Sequence, residues 1–170
     1  MANPDVETAL LLADLSGAAI LPHFRALTAV DSKETAGFDP VTVSDRAAEL
    51  AIRNHLGKAA PNDGVIGEEF PRKPSQNGRN WIVDPIDGTR GFIMGLPTWG
   101  TLIALHTGEH VSMGLMAQPF VGEVFFASEE GAFYQRLHCD GPAPTPLRTR
   151  SCNALSEATL TTTSPDLFRG

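Results

Sequence analysis

The apolar positions of this chain form two early helical stripes, followed by a run of short alternating segments. From Asp5 to about Leu27, the residues Val6, Leu10, Ala13, Gly17, Ile20, Leu21 and Phe24 recur at helical intervals, and Pro4 suits the first turn. A polar connector covers Thr28 to Asp39, and Pro40 to Val43 is extended. Ser44 or Asp45 then stands as the N-cap of a second helix, from about Arg46 to Leu56. This helix turns Ala47, Leu50, Ala51 and Leu56 inward, and Gly57 and Pro61 end it. Gly64 to Gly67 predicts a short strand ending at Glu68, and Phe70 to Asn80 a polar surface loop. Trp81-Ile82-Val83 reads as the end of a buried strand that delivers Asp84 to its edge. Pro85, with no N–H to donate, stops the ladder there. Asp87-Gly88-Thr89 is a tight turn and Arg90 to Gly95 a short helical segment.

Trp99 to Leu105, Val111 to Ala117 and Glu123 to Ala127 predict consecutive antiparallel strands. Thr107-Gly108-Glu109 and Pro119 to Gly122 join them as hairpin-like turns, and Ala132 to Tyr134 adds a short strand. Asp140 to Pro146 is an exposed turn, Ala158 to Thr163 a last strand, and Ser164-Pro165-Asp166 a helix start with almost no helix after it. The expected fold is α+β: two N-terminal helices packed on a mostly antiparallel sheet. Residues 1–157 form one domain in this reading, and 158–170 the start of another.

Composition narrows the chemistry. With 170 residues, 42% hydrophobic and 19% charged, the chain has the core of one domain. A formal net charge of −7 argues against a basic groove for nucleic acid. An acidic protein that binds an anion needs a metal or backbone N–H groups to do so. Cys139 and Cys152 are too few for a disulfide framework and read as reduced thiols, with a single bridge left open. The polar, acidic Met1 to Glu7 lacks a signal-peptide layout, and no apolar run approaches the roughly 20 residues of a membrane span. A cytoplasmic protein without membrane contact is expected. His106 and His110 flank a turn and do not share a helix face, so they make no zinc site; no nucleophile elbow, Walker or Rossmann fingerprint occurs.

The carboxylates are the informative residues. Asp45, Glu68, Glu69, Asp84 and Asp87 each fall at a helix start, strand end or turn. Singly, each reads as an exposed charge or a cap. Gathered together they would repel one another and raise their own pKa values unless a cation neutralised them. Oxygen ligands at this density suit Mg²⁺. Asp87-Gly88-Thr89 adds an anion site, because glycine exposes N–H groups and a helix begins just after it. Metal beside a phosphate cradle points to phosphoryl chemistry, and metal-assisted hydrolysis is its simplest form.

Gly67-Glu68-Glu69 followed by Asp84-Pro85-Ile86-Asp87-Gly88-Thr89, after a Trp-Ile-Val strand, resembles the inositol monophosphatase superfamily of Mg²⁺-dependent phosphomonoesterases. Asp39 to Asp45, with Val41-Thr42 inside, is similar to that family's segment before its second helix. Gly91 to Pro97, Trp99 to Ala104 and Gln118-Pro119-Phe120 look most like the bacterial histidinol-phosphate phosphatase branch. The resemblance implies the N-terminal half of an αβαβα sugar-phosphatase sandwich, two or three Mg²⁺ ions, a homodimer and a small phosphorylated metabolite as substrate. L-histidinol phosphate is the first candidate and inositol phosphate the next. It implies that Glu68, Asp84 and the Ile86 carbonyl hold one metal, and Asp84 and Asp87 a second. Asp45 and Thr89 would orient and deprotonate a water, Glu68 counting with them as a catalytic group, while the N–H groups of Gly88 and Thr89 receive phosphate. Lys33, Glu69 and Arg90 are candidates for a third metal or for substrate, and Glu69 fits better behind the ligands than among them. The family completes its second metal site with an aspartate from a C-terminal α/β domain that this chain does not match. An open sheet edge, an uncovered apolar face and a catalytically silent half-domain needing a partner chain are therefore also expectations.

Overall fold

Asn3 opens the first helix, its side chain accepting the N–H of Asp5 at 3.0 Å, with Pro4 in the first turn where no N–H is needed. Helix α1 (Pro4–Ile20) buries Val6, Ala9, Leu12, Ala13, Ser16, Gly17 and Ile20. It stops well before the expected Leu27. Pro22 cannot continue the hydrogen-bond ladder, so Leu21–His23 tighten into a 3₁₀ turn. The computed structural model describes residues 3–26, 30–32, 40–137, 143–159 and 161. Within the expected polar connector, strand β1 (Val30–Ser32) pairs antiparallel with β2 (Pro40–Thr42).

Helix α2 (Val43–Ala59) begins earlier and ends later than the sequence predicts. Ser44 and Asp45 lie inside its first turn and are not its cap, and the helix runs through Gly57, closing with the Ala60 N–H on the Leu56 carbonyl at 2.9 Å. The inward face is also rotated by one residue. Ser44, Asp45, Ala48, Glu49, Ile52 and Leu56 are buried, whereas Leu50 is 47% exposed. An apolar-only stripe passes over this face because half of it is polar.

Seven strands form the main sheet, in the order β3 (Gly64–Ile66), β4 (Arg79–Asp87), β5 (Gly100–Thr107), β6 (His110–Gln118), β7 (Glu123–Ser128), β8 (Gly131–Arg136) and β9 (Thr145–Pro146). Every pairing is antiparallel except β3 with β4. The mixed α+β architecture and mostly antiparallel sheet agree with the sequence. Three elements differ. Residues 70–80 are not wholly loop: Lys73 bridges back to Val65, and β4 starts at Arg79. Thr145–Pro146, expected in an exposed turn, forms a short strand on β8. Proline is tolerated there because its missing N–H faces away from the ladder at an edge. Ala158, Thr159 and Thr161 belong to no strand, and the rest of the expected last strand and helix start lie outside the described residues. Cys152 is an exposed free thiol, while Cys139 lies outside the described residues. No described helix is long and apolar enough to cross a membrane.

Both helices pack on one face of the sheet, where Trp81, Val83, Ile103, Leu105, Met113, Leu115 and Phe126 alternate inward and meet Val6, Leu12, Ile52 and Leu56. A second cluster joins Ile20, Phe24, Ala48, Ile86, Phe92 and Trp99, so Phe92 and Trp99 belong to the core. Residues of the other parity form the opposite face, where Ile82 and Met116 are 39% and 37% exposed.

One buried polar network ties the layers together. Asp63 accepts hydrogen bonds from the Trp81 indole (2.9 Å), Asn77 (2.7 Å) and Arg79 (3.3 Å), and Arg79 also pairs with Asp5 of α1 at 2.6 Å. Burial pushes the Asp63 pKa up, but the hydrogen bonds from Asn77 and Trp81 and the Arg79 charge outweigh it and hold the carboxyl below its usual 3.8. A depressed folded pKa means stability that is present above about pH 4 and is lost as pH falls through the folded value. Asp63→Asn is expected to lower unfolding free energy by about 1–3 kcal/mol at neutral pH, in urea or thermal melts. That deficit should shrink in acid; one that is constant with pH would show that the charge is not what holds the network.

Candidate metal centre

Two features of the sheet bring the acidic residues together. The first is the parallel pairing of β3 with β4, in which Ile66 lies beside Ile82. Two residues beyond this pair stand Glu68, just past the end of β3, and Asp84, still within β4. The second is a β-bulge. Asp84 pairs with Leu102 and Asp87 with Gly100, so β4 spends three residues where β5 spends two. In a regular strand, positions three apart point to opposite faces. The extra residue puts Asp87 back on the face of Asp84.

The expectation that Pro85 ends the strand is corrected here: β4 continues through it to Asp87. Pro85 is buried within the bulge, where a missing N–H disturbs the ladder least. Its carbonyl accepts from the Thr101 hydroxyl at 2.8 Å, and Ser16 of α1 lies 3.1 Å from the same hydroxyl. Ser16 and Thr101 are wholly buried, so this chain of contacts anchors the bulge to both the next strand and the first helix. Nothing in their apolar sequence surroundings marked either residue as part of the site.

Gly88 then turns the chain with φ +88, and a Cβ there would stand 2.7 Å from the Thr98 carbonyl oxygen; only glycine fits. Thr89 opens the short helix α3 (Thr89–Ile93) and donates its hydroxyl proton to the Ile86 carbonyl at 3.0 Å. Asp45 sits in the first turn of α2 and is 5% exposed, in the part of a helix that favours negative charge. Glu68, Asp87, Gly88 and Arg90 are exposed. Glu69 is directed elsewhere: its side chain is 4% exposed and lies 3.8 Å from Arg46. Lys33 lies outside the described residues.

Electrostatics shows which of these groups sense one another. Asp84 has its pKa raised from 3.8 to about 6, by burial first and then by the charges of Asp87, Glu68 and Asp45. The charges of three other carboxylates, on α2, after β3 and on β4 itself, thus act on Asp84. Among the described residues, no three acidic, histidine or cysteine side chains already enclose an ion-sized space. Like charges resist being drawn together, and a cation is what would draw them. The donor set is all oxygen, with a carbonyl at Ile86 that keeps a second lone pair beyond its bond to Thr89. Such a set fits a hard divalent ion. An apolar groove of about 360 Å³ lined by Val6, Leu10, Phe126 and Phe133 lies against β7 and β8 and shares no residue with the carboxylates.

Glu49 is the residue the sequence reading missed. It is wholly buried and accepts the Glu69 N–H at 2.8 Å and Arg53 Nε at 2.7 Å. Its spacing of four from both Asp45 and Arg53 was the available signal.

A model of the inositol monophosphatase family matches residues 2–168. The chain is 43% identical over 134 residues to a histidinol-phosphatase of Chlorobaculum parvum, covering 77% of this chain and 51% of that protein. To a histidinol-phosphatase of Mycobacterium tuberculosis it is 39% identical over 166 residues, covering 96% and 62%. An inositol-1-monophosphatase of Rhizobium meliloti is 34% identical, with 78% and 47% covered. The crystal structure of an inositol monophosphatase from Zymomonas mobilis superposes with a TM-score of 0.77 at 37% identity, over 99% of this chain and 62% of that one. The chain thus spans about half to three fifths of the length of these proteins.

The Asp84 shift has a defined sign. A carboxyl whose folded pKa exceeds its unfolded value holds its proton more tightly when folded. Folding is unpenalised below 3.8 and increasingly penalised as pH rises to about 6. Without divalent ions, Asp84→Asn should therefore gain on the wild type across that window, by a few degrees in Tm at about pH 7. A difference that does not change with pH in paired melts would mean that Asp84 does not feel its neighbours.

Proposed function

The chain belongs to the inositol monophosphatase family, and on that footing we propose that its protein hydrolyses a small phosphomonoester with Mg²⁺, L-histidinol phosphate first among the candidates. The observation that carries the reading is that burial and the charges of Asp87, Glu68 and Asp45 together raise the Asp84 pKa. Identities of 39–43% to two histidinol-phosphatases support the substrate.

In this reading, Glu68, Asp84 and the Ile86 carbonyl would hold one ion, and Asp84 and Asp87 would hold a second. Bound Mg²⁺ supplies the charge that lowers the pKa of a water and neutralises phosphate and leaving oxygens. The protein groups position that water. The Thr89 hydroxyl donates its hydrogen bond to the Ile86 carbonyl, so its oxygen lone pairs are left to accept from a water O–H. Asp45, held at the start of α2, takes the proton as general base. The N–H groups of Gly88 and Thr89 receive phosphate oxygens, and the left-handed turn at Gly88 aims them. The likeness to the Rhizobium meliloti protein favours inositol phosphate as the second substrate reading.

Phosphate release from histidinol phosphate and inositol phosphate, measured on the longest natural form of the protein with and without Mg²⁺, separates these readings. Faster Mg²⁺-dependent release from histidinol phosphate is expected; release from neither would overturn the phosphatase reading. Asp84→Asn should reduce kcat by about three orders of magnitude or more, since one residue serves both ions. A loss of only a few-fold would remove Asp84 from the bridging position. Mg²⁺ at a hundredfold excess over its Kd should stabilise the folded protein by about 2.7 kcal/mol, read as a rise in Tm.

A further inference from the structure

We propose that Glu49 and Arg53 form a buried strut that sets the position of Glu68 relative to Asp45, and so tunes divalent-ion affinity without touching the ion. This rests on the metal reading above. Glu49 lies four residues after Asp45 on the buried face of α2, one helical turn away. Both its oxygens are engaged. One accepts Arg53 Nε at 2.7 Å, and the other accepts the Glu69 backbone N–H at 2.8 Å. Arg53 in turn donates to the Phe70 carbonyl at 3.2 Å, with its guanidinium 5.7 Å from the Phe70 ring centroid.

The Glu68 backbone is therefore gripped from both sides. Beyond it, Glu69 and Phe70 are hydrogen-bonded to the strut. Before it, Gly67 lies so close to the Glu49 carboxylate that a Cβ would overlap it. No side chain larger than hydrogen fits between the helix and the turn. The Glu68 side chain is exposed. Its reach toward Asp84 is inherited from a backbone that α2 holds in place, and α2 also carries Asp45. A buried, ion-paired carboxylate is a poor device for stability alone, because desolvation offsets much of the attraction. What it provides here is a fixed distance between two carboxylates on different elements. Partners behind metal ligands commonly account for 10- to 100-fold in affinity.

Glu49→Gln keeps the size and removes the charge. Its amide can still accept from Glu69 or face Arg53, but cannot serve both as acceptor. Mg²⁺ binding measured by titration calorimetry on the longest natural form, well below Tm, should weaken by on the order of tenfold. Gly67→Ala, which crowds the same contact from the other side, should weaken binding similarly while leaving Glu49 intact. Asp63→Asn serves as the control for a buried carboxylate with no link to Glu68, and should lower Tm without changing Mg²⁺ affinity. In Glu49→Gln/Arg53→Leu, the amide oxygen is free to accept the Glu69 N–H, and affinity should recover in part. Wild-type affinity in folded Glu49→Gln and Gly67→Ala would overturn the strut while leaving the metal reading standing. Absence of Mg²⁺ binding by the wild type would instead overturn the metal reading, and the strut with it.

Discussion

One irregularity in one strand organises this molecule. β4 spends an extra residue at Pro85-Ile86, and that extra residue is why Asp84 and Asp87 share a face. A regular strand would have turned Asp87 toward the helices and the apolar core. The bulge is in turn held by groups remote in sequence, since Thr101 and Ser16 hold the Pro85 carbonyl from the neighbouring strand and the first helix. A buried carbonyl taken out of a ladder needs a replacement donor, and Thr101 supplies it. The bulge therefore depends on the packing of α1 and β5.

The same strand separates two kinds of acidic group. Near its start, Asp63 sits among three donors, and its carboxyl is held in the charged form. Near its end, Asp84 sits among other carboxylates, and its charged form is disfavoured. The first arrangement contributes to stability at neutral pH. The second works against it, and charge neutralisation by an incoming cation is the natural relief. Burial alone does not distinguish them; the sign of the neighbours does. A carboxyl whose charged form is disfavoured in this way is a candidate functional group.

Glu49 belongs to neither class. It is buried and acidic, yet fully engaged by Arg53 and a backbone N–H, and it faces the turn carrying Glu68 from behind. Two layers of carboxylates thus sit one behind the other. The inner layer is paired and fixes the backbone. The outer layer includes Asp45 and Glu68, on segments that the inner one holds. The glycine at position 67 is the steric trace of that arrangement, because the inner carboxylate occupies the space a side chain would need.

Much of this was written in local sequence. The two helices, the antiparallel hairpins with glycine at their turns, and the Gly-Glu-Glu and Asp-Pro-Ile-Asp-Gly-Thr segments follow from period, turn chemistry and motif, because each depends on neighbours within a few residues. Four matters did not. The parallel pairing of β3 with β4, the bulge through Pro85, the one-residue rotation of the α2 face and the burial of Glu49 all depend on what packs against an element. A proline reads as a strand stop until a hydroxyl from another strand accommodates it. A glutamate reads as a solvated helix position until an arginine and a turn close over it. Sequence determined which carboxylates were available; tertiary contact alone decided which would face one another and which would hold them there, because charge and hydrogen bonding act across space and not along the chain.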